Sequence, residues 1–148
     1  MARGAPPGQG IPGGSARLSA FLDTNVLVRF FTGDPPEQAR RAAAYLARAE
    51  ELLVPDLVVA EVVYVLESFY EVERPRVVEL LRAVLAFPAV VVVDAALLLR
   101  ALEVYEVERL DFADAYLVAS AEASGVGAIA SFDRSIDRAG TGRRIEPS

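Results

Sequence analysis

The chain has 148 residues and a formal net charge of −6, and it contains no Cys, no His and no Lys. That length suits one compact domain and leaves no room for a second. The missing residue types exclude Cys/His zinc sites, disulfides, thiol nucleophiles, Ser-His-Asp triads, Schiff-base chemistry and lysine-dependent phosphate loops, so any chemistry must use carboxylates, hydroxyls, amides and Arg.

Residues 1–17 are rich in Gly and Pro and carry no apolar stretch, which reads as a flexible tail, neither a signal peptide nor an anchor. The folded domain is expected over 18–148. A hydrophobic fraction of 53% over the whole chain argues for a filled globule rather than a disordered chain. The longest uncharged run beyond the tail, Ala83 to Val93, is too short to span a bilayer and is interrupted by Pro88, so a soluble, cytoplasmic protein is expected.

Leu18 to Leu22 predicts the first strand, and an apolar helix follows Asp23-Thr24-Asn25. Asp34-Pro35-Pro36-Glu37 combines a capping Asp, first-turn prolines and a Glu three residues after the cap, predicting a helix from about Pro35 to Glu50. Glu51 to Val54 reads as a strand, Pro55-Asp56 opens a helix to about Tyr70, and Arg74 to Phe87 reads as another helix. Val90 to Val93 predicts a buried strand and Asp94 caps a helix over Ala95 to Val107. Asp111 opens a helix ending near Gly125, Gly127 to Ser131 is a strand, and Arg143 to Glu146 is a weak edge strand. Strands alternating with helices predict an α/β layer fold around a mostly parallel sheet. In such a sheet the strand C-termini share one edge, where ligands bind. Asp23, Asp94 and Asp133 each follow a strand and are expected at that edge.

The acids differ in what else explains them. Asp23 is equally well read as a helix cap or as a functional carboxylate. Glu61 is the only charged residue between Leu57 and Leu66, and its helical neighbours are Leu57, Val58, Tyr64 and Val65. A carboxylate on a buried stripe must be protonated, paired or bound to a cation, which favours function. Capping and the helix dipole account for Asp111, whereas Asp114, one turn in, can point to the sheet edge. Asp133 follows a strand and precedes Arg134; Asp137 reads as solvated and Asp94 as a cap. Carboxylates about 4 Å apart repel by roughly 4 kcal/mol per pair at an effective dielectric near 20, so a cluster needs Arg or a metal. Oxygen-only ligation suits Mg²⁺ or Mn²⁺. Arg40, Arg41, Arg48, Arg134, Arg138, Arg143 and Arg144 are candidate phosphate contacts, although helix surfaces need charge and here every basic residue is Arg.

Asp23-Thr24-Asn25, Glu61 in Val58-Val59-Ala60-Glu61-Val62, Asp114 in Asp111-Phe112-Ala113-Asp114-Ala115 and Ser131-Phe132-Asp133 resemble, in order and spacing, the acidic motifs of PIN-domain nucleases. The resemblance runs from about Leu18 to Pro147, and in size and layout it is most similar to VapC-like toxins, the ribonucleases of VapBC toxin–antitoxin pairs. It implies a three-layer fold with strand order 3-2-1-4-5, which sets Asp23 beside Asp133, brings Glu61 and Asp114 in from helices and leaves Asp94 too far away. It further implies an endoribonuclease using Mg²⁺ or Mn²⁺ held by Asp23, Glu61, Asp114 and Asp133, with Thr24, Asn25, Ser131 and Asp111 in support. A homodimer and a cognate antitoxin are implied as partners, and no membrane. The fourth acid varies in the family, and the Gly/Pro tail has no counterpart there. The competing reading is a PIN-like module that binds RNA or protein without cutting.

Overall fold

The computed structural model describes residues 19–148, so the proposed tail and Leu18 lie outside the described residues. The chain runs β1 (Ser19–Phe21), α1 (Thr24–Thr32), α2 (Pro36–Arg48), β2 (Glu51–Leu53), α3 (Asp56–Ser68), α4 (Arg74–Leu85), β3 (Val90–Val91), α5 (Ala95–Val107), α6 (Phe112–Ser124) and β4 (Ala128–Ala130). A 3₁₀ helix over Arg134–Ala139 and β5 (Arg143–Ile145) complete it. Among the described residues no helix is long and apolar enough to cross a membrane.

Every ladder is parallel, as strands joined through helical crossovers require. β2 lies between β1 and β3, with Ala20 opposite Leu52 and Leu52 opposite Val90. β4 pairs with β5, with Ile129 opposite Arg144. These are the 3-2-1 and 4-5 segments of the implied order; among the described residues no ladder joins β1 to β4.

Two local expectations change. The cap of α2 falls on Pro35 and not on Asp34, and no side chain takes the first-turn amides; Pro36 at the first helical position has no amide to satisfy. The Val90 to Val93 strand shrinks to Val90–Val91, and Val93 is 93% exposed. Its place at the sheet edge explains this, since only one side of β3 is paired. Asp94 caps α5 as expected, accepting from the Leu97 amide at 3.0 Å.

The core is aliphatic: Leu27, Leu52, Val62, Leu66, Leu98 and Leu102 are fully buried, and α5 packs along α6. Gly125 ends α6 at φ 79°, a conformation that favours glycine. Arg74 ties α4 to the end of α5: its guanidinium lies 4.4 Å from the centre of the Tyr105 ring, and it donates to the carbonyls of Tyr105 and Leu110. The Tyr105 hydroxyl donates to Glu67, and burial chiefly, then that carboxylate, pushes the phenol pKa up.

A second tie joins α5, α6 and the approach to β5. Arg100 donates to Glu122 at 2.8 and 3.0 Å, and the Thr141 hydroxyl donates to the same carboxylate. Arg100 first, and Thr141 after it, hold Glu122 down at about 2 against its ordinary 4.5. A carboxyl whose pKa falls on folding contributes stability that is full above pH 4.5 and is lost as pH falls toward about 2. The pair is partly exposed, so solvent screening limits its worth to about 1 kcal/mol. Glu122→Gln should therefore lower Tm at pH 7 by about 2–4 °C. The gap from the parent should close as the pH is lowered from 4.5 to about 2, and a gap independent of pH in thermal melts across that range would contradict the assignment.

Candidate functional site

The first acid stands where β1 hands over to α1. Leu22 is buried, and Asp23 occupies the N-cap position of α1 in extended backbone. Its side chain is exposed and makes no capping bond, so the carboxylate is not committed to the helix. Thr24 is the one buried polar side chain among the described residues, and its hydroxyl donates to Glu61 Oε1 at 2.6 Å. That bond links residues 37 positions apart and brings Glu61 next to the residue that follows Asp23.

Glu61 itself is exposed, which corrects its expected place on a buried stripe. α3 is apolar on most sides, and one side only can meet the core: Val59, Val62, Val63 and Leu66 are buried. Leu57 and Tyr64, one turn before and after Glu61, are 77% and 64% exposed. Leu57 and Tyr64 thus share the outer face with Glu61 and do not enclose it, while Val58 and Val65 pack partly against the core.

The second group of acids forms where α6 meets the turn after β4. Asp111 sits at the N-cap of α6 without making the capping bond expected of it, and Asp114 lies half-buried in the first turn. Burial first, then the charges of Asp133 and Asp111, raise the Asp114 carboxyl above its ordinary 3.8. Asp133, within hydrogen-bonding reach of Asp114, is held below its ordinary value, first by the Ser135 hydroxyl and then by the Ser135 amide. Ser131 accepts the Asp133 amide at 2.9 Å, which fixes the turn that presents the carboxylate. The α5–α6 connection is clamped from two sides, by Arg74 on the Leu110 carbonyl and by Arg138 on the Arg109 carbonyl at 3.1 Å.

The gathered oxygens therefore form two sets, Glu61 with Thr24 beside Asp23, and Asp114 with Asp133 and Asp111. α3 packs against both α1 and α6, and the Tyr116 hydroxyl of α6 donates to Asp56 at the start of α3. That carboxylate and burial push the Tyr116 phenol up to about 12. Among the described residues no three acidic side chains stand close enough to hold one ion. The donor set nevertheless suits a hard divalent cation: it is all oxygen, and the crowding that raises Asp114 is a repulsion that a cation would relieve. Asn25 is exposed, makes no hydrogen bond among the described residues and lines the groove between α1 and α2. Asp94 is spent on its helix cap.

Sequence reasoning missed Ser135 and Arg74. An oxygen-bearing residue two positions after an Asp is a recognisable turn signal, so Ser135 was within reach. Arg74 had no local signal, because its carbonyl contacts lie 31 and 36 residues away. Of the candidate phosphate-binding arginines, Arg40 pairs with Glu37, Arg48 stacks on Tyr45, Arg138 is on the Arg109 carbonyl, and Arg144 is held by Asp137, Glu146 and the Ser131 carbonyl. The side chains of Arg41, Arg134 and Arg143 have no hydrogen-bonded or ion-paired partner among the described residues.

The PIN domain family model matches residues 20–142. The chain is also 28% identical over 124 residues to the VapC ribonuclease of Aquifex aeolicus (strain VF5), a match covering 81% of this chain and 91% of that protein.

Replacing one member of the crowded acid set should stabilise the cation-free protein. Asp114→Asn is expected to raise Tm in EDTA by about 2–4 °C, the equivalent of about 1 kcal/mol of relieved repulsion and desolvation in a domain of this size. A drop in Tm measured by calorimetry would mean that the Asp114 carboxyl serves the fold.

Proposed function

The chain belongs to the PIN domain family, and on that footing we propose that it is a metal-dependent endoribonuclease, the toxin of a VapBC pair. One observation carries the reading beyond family membership. Among the described residues the Asp23, Glu61 and Asp114 carboxylates are spent on no helix cap or ion pair, and the Thr24 hydroxyl orients Glu61; Asp133 caps the 3₁₀ helix, but through Oδ1 alone, which takes both the Ser135 amide and its hydroxyl. In a purely structural role Asp23 and Asp111 would cap their helices, and neither does.

Asp23, Glu61, Asp114 and Asp133 would hold Mg²⁺ or Mn²⁺, with Thr24, Asn25, Ser131 and Asp111 in support. A divalent ion supplies charge neutralisation, an anchor for a phosphate oxygen and a lowered pKa for water. The residues of the chain do the rest. Glu61 Oε1 is fixed by Thr24, and Oε2 is free to take a proton from the attacking water. The new bond forms between that oxygen and phosphorus, the bond from phosphorus to O3′ breaks, and the departing O3′ gains a proton, leaving 5′-phosphate and 3′-hydroxyl ends. Arg138, whose charge acts on Asp133, is placed to balance the acids as the polyanion arrives.

The partners follow the same reading: RNA as substrate in the cytoplasm, and an antitoxin that supplies a basic segment to an acidic cleft. A second copy of the chain is the proposed partner for the outer faces of α3 and α6, where Leu57, Tyr64 and Leu117 are exposed side chains without charge.

Purified protein should cleave RNA with added Mg²⁺ or Mn²⁺ and stop with EDTA, and Asp23→Asn should lose at least about 100-fold in rate while remaining folded by circular dichroism. RNA binding without any divalent-dependent product would favour the non-cleaving module. Leu57→Glu should convert a dimer to a monomer in sedimentation equilibrium; a monomeric parent would remove the homodimer.

A further inference from the structure

The groove between α1 and α2 combines features that the acidic site does not use. It is a cavity of about 280 Å³ whose lining includes Asn25 and Arg29 from α1 and Gln38, Arg41 and Tyr45 from α2. Asn25 and Arg29 are four residues apart on one face of α1, so the groove starts beside Asp23 and Thr24 and runs one turn away from them.

No acidic side chain lines this groove, in a chain whose net charge is −6. Three helix arginines are neutralised by carboxylates of their own helix, Arg40 by Glu37, Arg76 by Glu79 and Arg100 by Glu103. The two groove arginines are not. Arg29 Nε donates to the neutral amide oxygen of Gln38 at 2.9 Å, which orients its guanidinium plane and leaves the charge uncompensated. The Arg41 side chain has no hydrogen-bonded or ion-paired partner among the described residues. Arg48, stacked 5.3 Å from the centre of the Tyr45 ring, extends the positive charge past the far end. Two planar cations, one of them already oriented, form a fork suited to phosphate oxygens. Neighbouring helix axes lie about 8–10 Å apart, so the groove admits a single strand and not a duplex.

We infer that the α1–α2 groove is a subsite for single-stranded RNA, in which Arg29 and Arg41 hold the phosphate of a nucleotide flanking the scissile bond and Tyr45 packs against its sugar or base. This rests on the ribonuclease reading above and adds where the strand leaves the acids. The positive groove also resolves a charge conflict, since it draws a polyanion to the edge of an acidic site.

The test uses the full chain carrying Asp23→Asn, to prevent cleavage, and a fluorescein-labelled random-sequence 12-nucleotide RNA followed by anisotropy in Mg²⁺. Arg41→Glu added to that background should weaken binding at least about tenfold and reduce the slope of log K against log salt by about 0.7, the loss of one single-strand phosphate contact. Arg41→Lys should restore the slope, because it keeps the charge, and Arg76→Glu on α4 should change neither quantity. Equal affinity and slope for Arg41→Glu and its parent would overturn the subsite. So would an Arg41→Glu chain that binds RNA normally but no longer binds a basic-and-acidic antitoxin segment, which would assign the groove to a protein. If the wild type cleaves no RNA and the Asp23→Asn chain binds none, the ribonuclease reading falls and the subsite with it.

Discussion

Carboxylates left without a cation must be held against repulsion and desolvation, and here hydroxyl and amide donors do so for Glu61 and Asp133. Thr24 is buried and gives its only proton to Glu61; Ser135 gives both its hydroxyl and its amide to Asp133. Asp114 has no such donor, and the consequence is visible in its raised pKa, set by burial and by the two neighbouring aspartates. Glu61 and Asp133 are oriented by groups too weak to neutralise them, which leaves their charge available. An Arg in the same position would have satisfied the acids and ended their usefulness, as Arg100 does for Glu122.

The scaffold accounts for why such weak contacts suffice. The Arg74 clamp fixes the Leu110 carbonyl and Arg138 fixes that of Arg109, so the start of α6 is held from outside the site. Arg109 itself adopts a left-handed φ of 58°, an uncommon conformation for a residue with a side chain, and the carbonyl contacts on either side hold it there. Asp111 and Asp114 are thereby placed by backbone anchoring, which frees their side chains.

How much of this was legible varied with the range of the cause. Helix and strand identities came from local periodicity, and α5 was read to its ends because Asp94 and the apolar pattern agree there. The extended backbone at Pro55, from which α3 starts, and the cap at Asp94 are local facts too. The exposure of Glu61 was not legible, because an α-helix that is apolar almost all round does not announce which side meets the core; that depends on α1 and α6, distant in sequence. The failure of Asp111 to cap is of the same kind, since a good capping residue becomes free only when the surrounding turn is anchored by Arg74 and Arg138. For the arginines, sequence could propose seven phosphate contacts but could not say which were already neutralised. The α1–α2 groove emerged only once the helices were set side by side.

The central proposition is that Asp23, Glu61 and Asp114 belong to one cation site although their carboxylates are divided between two sets. Crystals grown with Mn²⁺, with anomalous scattering measured at the manganese edge, test it most directly. The expected result is a peak within about 2.0–2.3 Å of carboxylate oxygens from at least two of these three residues, lost in Asp23→Asn crystals. A well-diffracting Mn²⁺ crystal with no peak among them, or with the peak bound to other residues, would contradict it.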